Sequence, residues 1–392
     1  MSQFVTFFNI VGFFDNFILC LYICVLKRNI IYIGNTDTIG DAEMENYKLI
    51  HAIITAAVKN GIRYIEDNPK RGVRNLLDLG EYFAAGRFQK VFFELAHEIL
   101  NNEDSCYYDI IENLVKNTDH KNLTAYGINL GYNSFTYGAN IIREHEKKHG
   151  YNVPWAIVFN FEEKQENALT GTEISNIINS GKNIGIYSYM ILFGKNNISD
   201  TLYDIIEKND NCAFTLFIDP DMISEETAQR IVGVSNVCIF ASVNDYDHAN
   251  VSMVEKFDLL GKYKCLYGGY YCYDDSNVKN ITDGTTSEIL SALNLNLAYF
   301  IKNQGCSDKI AENICDYIYK TRIKINSPVF SIDFYGDFTR IDKIISTESC
   351  FLSIGSGGQV CVSDIYSATE HNIRETSLEN ILSCTMPKIK YT

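Results

Sequence analysis

The chain has 392 residues, 46% hydrophobic and 21% charged, enough apolar material for two or three domains with cores of their own. A formal charge of −15 excludes sequence-independent nucleic-acid binding, which needs a basic surface. With five prolines and this balance of apolar and charged residues, long disordered tracts are excluded as well.

In chain order, the first element is FVTFFNIVGFFDNFILCLYICVL (Phe4–Leu26), followed by Lys27 and Arg28. It is long enough to span a bilayer. Asn9, Asp15 and Asn16 lie inside it, and an Asp near a helix centre costs about 2.5–3.5 kcal/mol on insertion scales. Three readings stand: a membrane anchor, a buried or interfacial segment, or a stretch ahead of the true start. The third puts that start at Met44, because codons for Gly40-Asp41 can spell a ribosome-binding sequence. Residues 1–43 are set apart as an extension. The protein is expected in the cytoplasm, membrane-associated only if Phe4–Leu26 is a real anchor.

Residues 44–122 read as an all-helical domain. Leu49, Ile50, Ile53, Ile54, Val58 and Ile62 form an apolar stripe at helical spacing. Val73, Leu76, Leu77, Leu79 and Phe83 form another, and Val91, Phe92, Leu95, Ile99, Ile110, Ile111 and Leu114 continue it. Asn68-Pro69 marks a break. Leu123–Gly150 opens Gly- and Asn-rich (GINLGYNSFTYG) and turns helical over Ala139–His149.

From Val153 strands and helices alternate, which predicts a parallel β/α architecture. Strand Trp155–Phe161 is followed by helix Thr172–Gly185, strand Ile186–Phe193 by helix Thr201–Lys208, and strand Ala213–Ile218 by a helix near Ser224–Val232. Strand Val237–Val243 and a helix near Val251–Leu260 come next. Strand Cys265–Tyr273 then leads into helices around Thr286–Lys302 and Ser307–Lys320. Beyond Pro328 lie short β-like pieces, VFSIDF and FLSIGSGGQVCVSD, and a last helix at Ser377–Ser383. The domain expectation is 44–122 helical, 123–327 β/α barrel, 328–392 a small α+β extension.

The chain's 12 cysteines include no CxxC, and no secretory cleavage site is evident. They read as free thiols in a reducing compartment, most of them buried as small apolar side chains. His145-Glu146-Lys147-Lys148-His149 matches HExxH, which on a helix can hold zinc. Arg143–His149 is charged all round, Gly150 ends the helix, and no third ligand is near. A solvated helix C-terminus with favourable Lys and His explains it, and no metal site is assigned. Gly355-Ser356-Gly357-Gly358 has no helix behind it to complete an anion site and reads as a hairpin turn. Asp219-Pro220-Asp221 ends a strand and reads as a turn and helix cap.

With this order laid out, the chain resembles the radical SAM superfamily, and within it members with an N-terminal helical segment and a C-terminal SPASM-type extension. YNVPWAIVF resembles the lead into their first barrel strand, LTGTEISNIINSGKNIGIYSYMI the first helix and second strand. FTLFIDPDMISEETAQRI resembles the third strand and its turn, and YGGYYCYDDSNV a later strand and loop. PVFSIDF and FLSIGSGGQVCVSDIYSATEHNIRETSLENIL resemble the SPASM extension, with its closing Asn-Ile-Arg-Glu-x-Ser-Leu at Asn372–Leu378. The resemblance runs from about Met44 to Leu382 and implies a partial β/α barrel.

The departures fall on the chemistry that the resemblance implies. The family's first loop carries CxxxCxxC, whose thiolates hold a 4Fe–4S cluster that binds S-adenosylmethionine, and such clusters need cysteine ligation. Here that loop holds Glu162, Glu163, Lys164, Gln165, Glu166 and Asn167, and no cysteine lies between Cys106 and Cys212. The only CxxxC is Cys20–Cys24, with Lys27 where a third Cys belongs. The family's Gly-Gly-Glu, which grips the cofactor's amino group, reads Phe193-Gly194-Lys195, a cation in place of the anion. The Thr-Asn-Gly turn reads Ile218-Asp219-Pro220. Ser242 survives, but Asn244 stands where a carboxylate is common. In the SPASM part Ser363 replaces the expected cysteine, with Cys361 two positions early.

Gly194, Lys195, Ser242 and Asn244 are thus vestigial S-adenosylmethionine positions, and both cluster and cofactor are expected to be lost. The expected function is a pseudoenzyme that binds a peptide, or an intact radical SAM protein, at a barrel mouth of Tyr187, Tyr189, Asp219, Asn244 and Tyr270. Two alternatives are an enzyme of other chemistry using Lys195, Asp219 or Glu162/Glu163 as acid or base, and a radical SAM enzyme with atypical ligands.

Overall fold

The structure is a computed structural model that describes residues 39–83, 96–97, 99–163, 166–246, 251–322, 327–346 and 348–388. Phe4–Leu26, Val91, Phe92, Leu95, Lys164 and Gln165 lie outside the described residues. Among the described residues no helix is long and apolar enough to cross a membrane.

Seven strands lie side by side in chain order, all parallel. They are β1 (Ala156–Asn160), β2 (Ser188–Leu192), β3 (Ala213–Ile218), β4 (Val237–Ser242), β5 (Tyr267–Tyr273), β6 (Leu297–Lys302) and β7 (Phe330–Asp333). Consecutive order is the winding of a β/α barrel; a doubly wound sheet reverses direction part-way. Their apolar runs are buried almost throughout, as parallel strands covered on both faces require. β8 (Leu352–Gly355) pairs in parallel with β1. β9 (Gln359–Val362) and β10 (Ala368–Asn372) extend the sheet antiparallel beyond it. The expected glycine hairpin at 355–358 joins β8 to β9. The sheet has ten strands, with β7 at one edge and β10 at the other, so the barrel is partial and open.

The helices come in the same chain order. α1 (Ile39–Asp67) and α2 (Pro69–Phe83) meet at the break read from Asn68-Pro69. Pro69 takes the first helical position, where its missing N–H costs nothing, and Asn68 Oδ1 accepts from Arg71 N (3.0 Å). α3 (Cys106–Asn117) packs on both. α4 (His120–Ile128) continues without interruption through a π-helical segment (Asn129–Gly138) into α5 (Ala139–His149). The stretch GINLGYNSFTYG is therefore helical, wound wide by side chains that bond elsewhere. Asn129 Nδ2 donates to Asp210 O (2.7 Å) and Cys212 O (2.9 Å), and Asn133 Nδ2 to Asn211 O (2.9 Å). Gly138 lies against Gly185, where a Cβ would come within 2.3 Å of the carbonyl oxygen.

α6 (Gly171–Asn183), α7 (Asp200–Lys208), α8 (Glu225–Val234), α9 (Val251–Lys262), α10 (Lys279–Thr282), α11 (Thr285–Ala292) and α12 (Asp308–Arg322) link successive strands. α13 (Phe334–Ile345) and α14 (Leu378–Thr385) follow. Thr170, Ser199 and Ser224 cap α6, α7 and α8, satisfying orphan N–H groups. One expectation is corrected. Thr286–Lys302 is not one helix: Asn294 adopts φ +52°, the helix stops, and Leu297–Lys302 becomes β6. A short buried apolar run has no periodicity to tell strand from helix. The piece VFSIDF gives β7, and Asp333 then caps α13 by accepting from Gly336 N (2.5 Å); α13 went unrecognised. β7 and β8, both past Pro328, share one sheet with β1–β6.

Side chains alternate between the two faces of this sheet. On one face Phe159, Tyr189 and Phe214 stack in a row beneath α6. On the other, Phe217 meets Phe240, Tyr270, Tyr299 and Phe334 with centroids 5.1–5.6 Å apart. Phe334 starts α13, which crosses this concave face toward β1. There Phe338 packs on Trp155 (5.0 Å) and Phe351 (4.8 Å). Asp342 accepts from Trp155 N (3.4 Å) and Cys350 N (3.0 Å), and burial pushes its carboxyl up to about 7.

The other end of α13 is held to α12 by a buried ion pair. Arg322 grips Asp337 through both nitrogens (3.2 and 2.5 Å), with the two side chains 1% and 4% exposed. Arg340 adds a third contact (3.0 Å). Replacing Arg322 by Ala leaves Asp337 buried with the less buried Arg340 as its remaining cation. Urea denaturation is expected to show a loss of about 3–5 kcal/mol; a loss below about 1 kcal/mol would mean that the pair contributes no more than a surface contact.

Candidate functional site

In β/α barrels the reacting groups sit past the C-terminal ends of the strands. The β1–α6 connection occupies that place here. Asn160 Oδ1 accepts from Glu162 N (3.2 Å), and Asn196, from the loop after β2, donates to Phe161 O (2.6 Å) and Glu162 O (3.1 Å). Gly194 lets these loops meet: it holds φ +54°, and a Cβ there would lie 3.2 Å from Glu162 Cα. Ser356 Oγ donates to Glu163 O (2.6 Å), and Leu169 N to Ser356 O (2.7 Å).

The far end of the loop is held by Arg374. Its guanidinium donates to Asn167 O (2.8 Å), Ala168 O (2.9 Å) and both oxygens of Glu173 (2.6 and 3.1 Å). Glu173 also completes the capping box of α6 with Thr170. Arg374 is itself placed by Asn372, whose Oδ1 accepts from Arg374 N (3.0 Å) and whose Nδ2 donates to Gly357 O (3.1 Å). The conspicuous Asn372–Leu378 motif is thus a fastening between the C-terminal hairpin and the β1–α6 loop, with Ser377 capping α14.

Inside this rim the strand ends form a polar mouth over the aromatic floor. Asn244 bridges β4 and β5: Nδ2 donates to Cys272 O (2.7 Å) and Oδ1 accepts from Cys272 N (2.8 Å). Ser242 Oγ lies 3.4 Å from the same amide. Burial, and then the Glu162 charge, push the Cys272 thiol up to about 12. The Tyr270, Tyr335 and Tyr366 hydroxyls are also raised, first by burial, with Glu162 contributing to each. Lys302 lies over the Tyr335 ring (5.1 Å). Glu162 is an exposed residue, yet its carboxyl is raised, by desolvation first and then by Glu163. The mouth therefore offers protonated hydroxyls and a polarisable carboxyl. Its thiol stays neutral, which makes it a poor nucleophile and a poor metal ligand.

The residues singled out in the sequence divide. Tyr270, Ser242, Asn244 and Asp219 lie at the mouth, Asp219 as the cap of a 3-10 turn that accepts from Asp221 N (2.9 Å). Lys195 is exposed at the end of the β2 loop, and its charge helps lower Asp221, after Lys256. Tyr187 and Tyr189 are not at the mouth. Tyr189 is fully buried and donates to Ile178 O and Ile186 O (3.0 and 3.1 Å), on the helix-covered face; Tyr187 precedes β2 and packs on Tyr137 (5.8 Å). Cys272, Tyr335 and Tyr366 were missed because they come from three separate elements, the end of β5, the first turn of α13 and the β9–β10 connection, which only the fold brings together. Cys361 sits in β9, and Ser363 just beyond it.

The HExxH reading is corrected in one respect. Glu146 is not solvated: it is 2% exposed and accepts from Val153 N (2.9 Å) and Ser346 Oγ (2.6 Å), with Lys388 at 3.0 Å. His145 turns the other way, to Tyr151 Oη (2.6 Å). Among the described residues no three His, Cys, Asp or Glu side chains are grouped to hold a metal ion.

Fold and site together define an open, parallel β/α partial barrel with a tyrosine-lined mouth. No protein-family model matches the chain, and no curated protein matches it. Among solved structures it is similar to SuiB from Streptococcus suis bound to S-adenosylmethionine, with a TM-score of 0.44 and 14% identity over 61% of this chain and 67% of that one. A second SuiB structure gives 0.43 and 11% over 83% and 81%. A structure of native anSMEcpe with bound AdoMet and Cp18Cys peptide gives 0.40 and 11% over 58% and 79%.

Two measurements check this geometry. The Arg374 hydrogen bond holds the Glu173 carboxyl down at about 2, from an ordinary 4.5. Its stabilisation is present above pH 4.5 and fades as pH falls toward about 2. Urea titrations over a pH series are expected to show a constant deficit for Arg374→Ala above that window and a shrinking one within it. Second, alkylation of the native protein near pH 8 is expected to modify exposed Cys384 and spare Cys272 until urea unfolds the chain. Equal rates at both would refute the half-buried thiol held neutral.

Proposed function

We propose that this protein is a catalytically degenerate relative of the radical SAM/SPASM group. It binds a peptide, or an intact enzyme of that group, at the mouth and carries out no radical chemistry. The observation that carries this reading is the β1–α6 loop. Where the resemblance calls for three cluster thiolates, the chain has Glu162, Glu163 and Asn167 and no cysteine. Both ends of the loop are fixed by hydrogen bonds from Asn196 and Arg374.

The residues present do not fit the implied group. Carboxylates and amides are hard donors, whereas iron–sulfur clusters are held by thiolates. Cys272, the thiol at the mouth, is held in its neutral form, and Lys195 brings a cation where an ammonium would have to be gripped. What remains suits recognition: tyrosine rings with protonated hydroxyls supply contact area and hydrogen bonds at low entropic cost. A second reading, acid–base chemistry without a radical, is favoured by the raised carboxyl of Glu162 among Tyr270, Tyr335 and Tyr366.

Anaerobic reconstitution with iron and sulfide, read by absorbance and EPR, tests the proposal. Only substoichiometric, adventitious iron is expected; a stoichiometric 4Fe–4S signal would sink it. Turnover of a small substrate that Glu162→Gln abolishes would replace it with the second reading.

A further inference from the structure

A basic cleft lies at the opposite end of the strands from the mouth. A cleft of about 630 Å³ opens between α1, α4 and the C-terminal ends of α6 and α7. Lys48, Lys59, Lys121, Lys182 and Lys208 line it, with Asp210 the one carboxylate among the lining residues. The lysine ion pairs of the described residues involve Lys116, Lys256, Lys262 and Lys388, and none of these five. Lys182 reaches Asn209 Oδ1 (2.6 Å); no carboxylate is paired with it.

Helix dipoles account for two of the five. Lys182 and Lys208 stand in the last turns of α6 and α7, where a cation is favoured. The other three have no such reason. Lys121 is the second residue of α4, at the positive end, and Lys48 and Lys59 lie within α1. Lys48, His51, Thr55 and Lys59 follow helical spacing and so share one face, a polar stripe roughly 16 Å long at 1.5 Å rise per residue. Like charges lining one cleft, with no ion-paired carboxylate among the described residues, repel one another, and a bound anion relieves that repulsion.

We infer that this cleft is a binding site for a polyphosphorylated small molecule. The volume falls within the usual range for small-molecule sites. The cations are all lysines, point charges suited to phosphate oxygens, with no arginine fork for a planar carboxylate. An extended acidic peptide presents carboxylates of one face about 7 Å apart, too sparse to neutralise five ammonium groups in this space. Tyr47 and His51 supply a ring-bearing wall, their centroids 5.7 Å apart. Burial lowers the His51 pKa, against the opposing charge of Asp210, so the positive charge rests on the lysines.

The test is isothermal titration of the full chain with sodium tripolyphosphate, repeated at raised ionic strength. One saturable site is expected, weaker at high salt. The pair Lys59→Glu and Lys121→Glu should weaken it tenfold or more, and Lys309→Glu, on α12 outside the cleft, should leave it unchanged. If the charge-reversed pair fails to fold by circular dichroism, Lys59→Gln with Lys121→Gln takes its place. Absence of saturable binding, insensitivity to the paired changes, an equal loss with Lys309→Glu, or tighter binding of an oligoglutamate would each overturn the inference. The iron reconstitution does not bear on it, because the two sites lie at opposite ends of the strands.

Discussion

An open parallel sheet must keep water off both faces, and the structure turns on how its concave face is covered. A closed barrel fills its lumen with layers of strand side chains. Here β7 has no eighth barrel strand beside it, and α13 does the covering. Phe334 enters against Phe217 and Tyr299, and Phe338 reaches Trp155 and Phe351. Each aromatic side chain removed from water contributes on the order of 2–3 kcal/mol. Burying Asp337 and Asp342 opposes this, and the two carboxyls are compensated by Arg322 and by backbone N–H groups respectively.

The crossing helix also decides where the rest of the chain goes. By carrying the backbone from the β7 edge to β1, it delivers β8 as a parallel neighbour of β1. The β8–β10 segment then stands beside the mouth. Only from that position can Asn372 present Arg374 to the β1–α6 loop. The loop is short and polar, yet its carbonyls at Asn167 and Ala168 are saturated by a guanidinium from a distant part of the chain. A segment fastened in this way is a rim, and any ligand at the mouth meets its Glu162 side.

Legibility from sequence follows the range of the interactions. The β/α order was readable because each strand is a short apolar run flanked by polar turns, and Thr170, Ser199 and Ser224 announce their helices locally. β6 was read as helix because LAYFIK is apolar on both sides, and nothing local records that strands flank it. α13 was hidden behind VFSIDF, although Phe334, Phe338, Ile341 and Ile345 fall at helical spacing. In the site, Ser242, Asn244, Asp219 and Tyr270 were legible as strand-end residues. Tyr189 was not: it is one residue out of phase with the concave face, and the parity of a strand is fixed only by its neighbours. Glu146 looked solvated because its partners, Val153, Ser346 and Lys388, lie beyond the helix that carries it.

The two ends of the strands have drawn opposite charge, and helix dipoles cannot be the whole cause. At the C-terminal end Glu162 acts on the hydroxyls of Tyr270, Tyr335 and Tyr366, and its own carboxyl is raised, by desolvation first and then by Glu163, a setting that disfavours further anions. At the N-terminal end the α-helical segment before β1 adds Lys48, Lys59 and Lys121 to the lysines already favoured at the ends of α6 and α7. In a β/α fold that end usually serves stability alone. A purely stabilising role would place carboxylates among those lysines, and the chain has 49 acidic residues to draw on. Only Asp210 is there. Such segregation, kept against the self-repulsion it costs, is what an anion site requires and what a neutralised surface would lack.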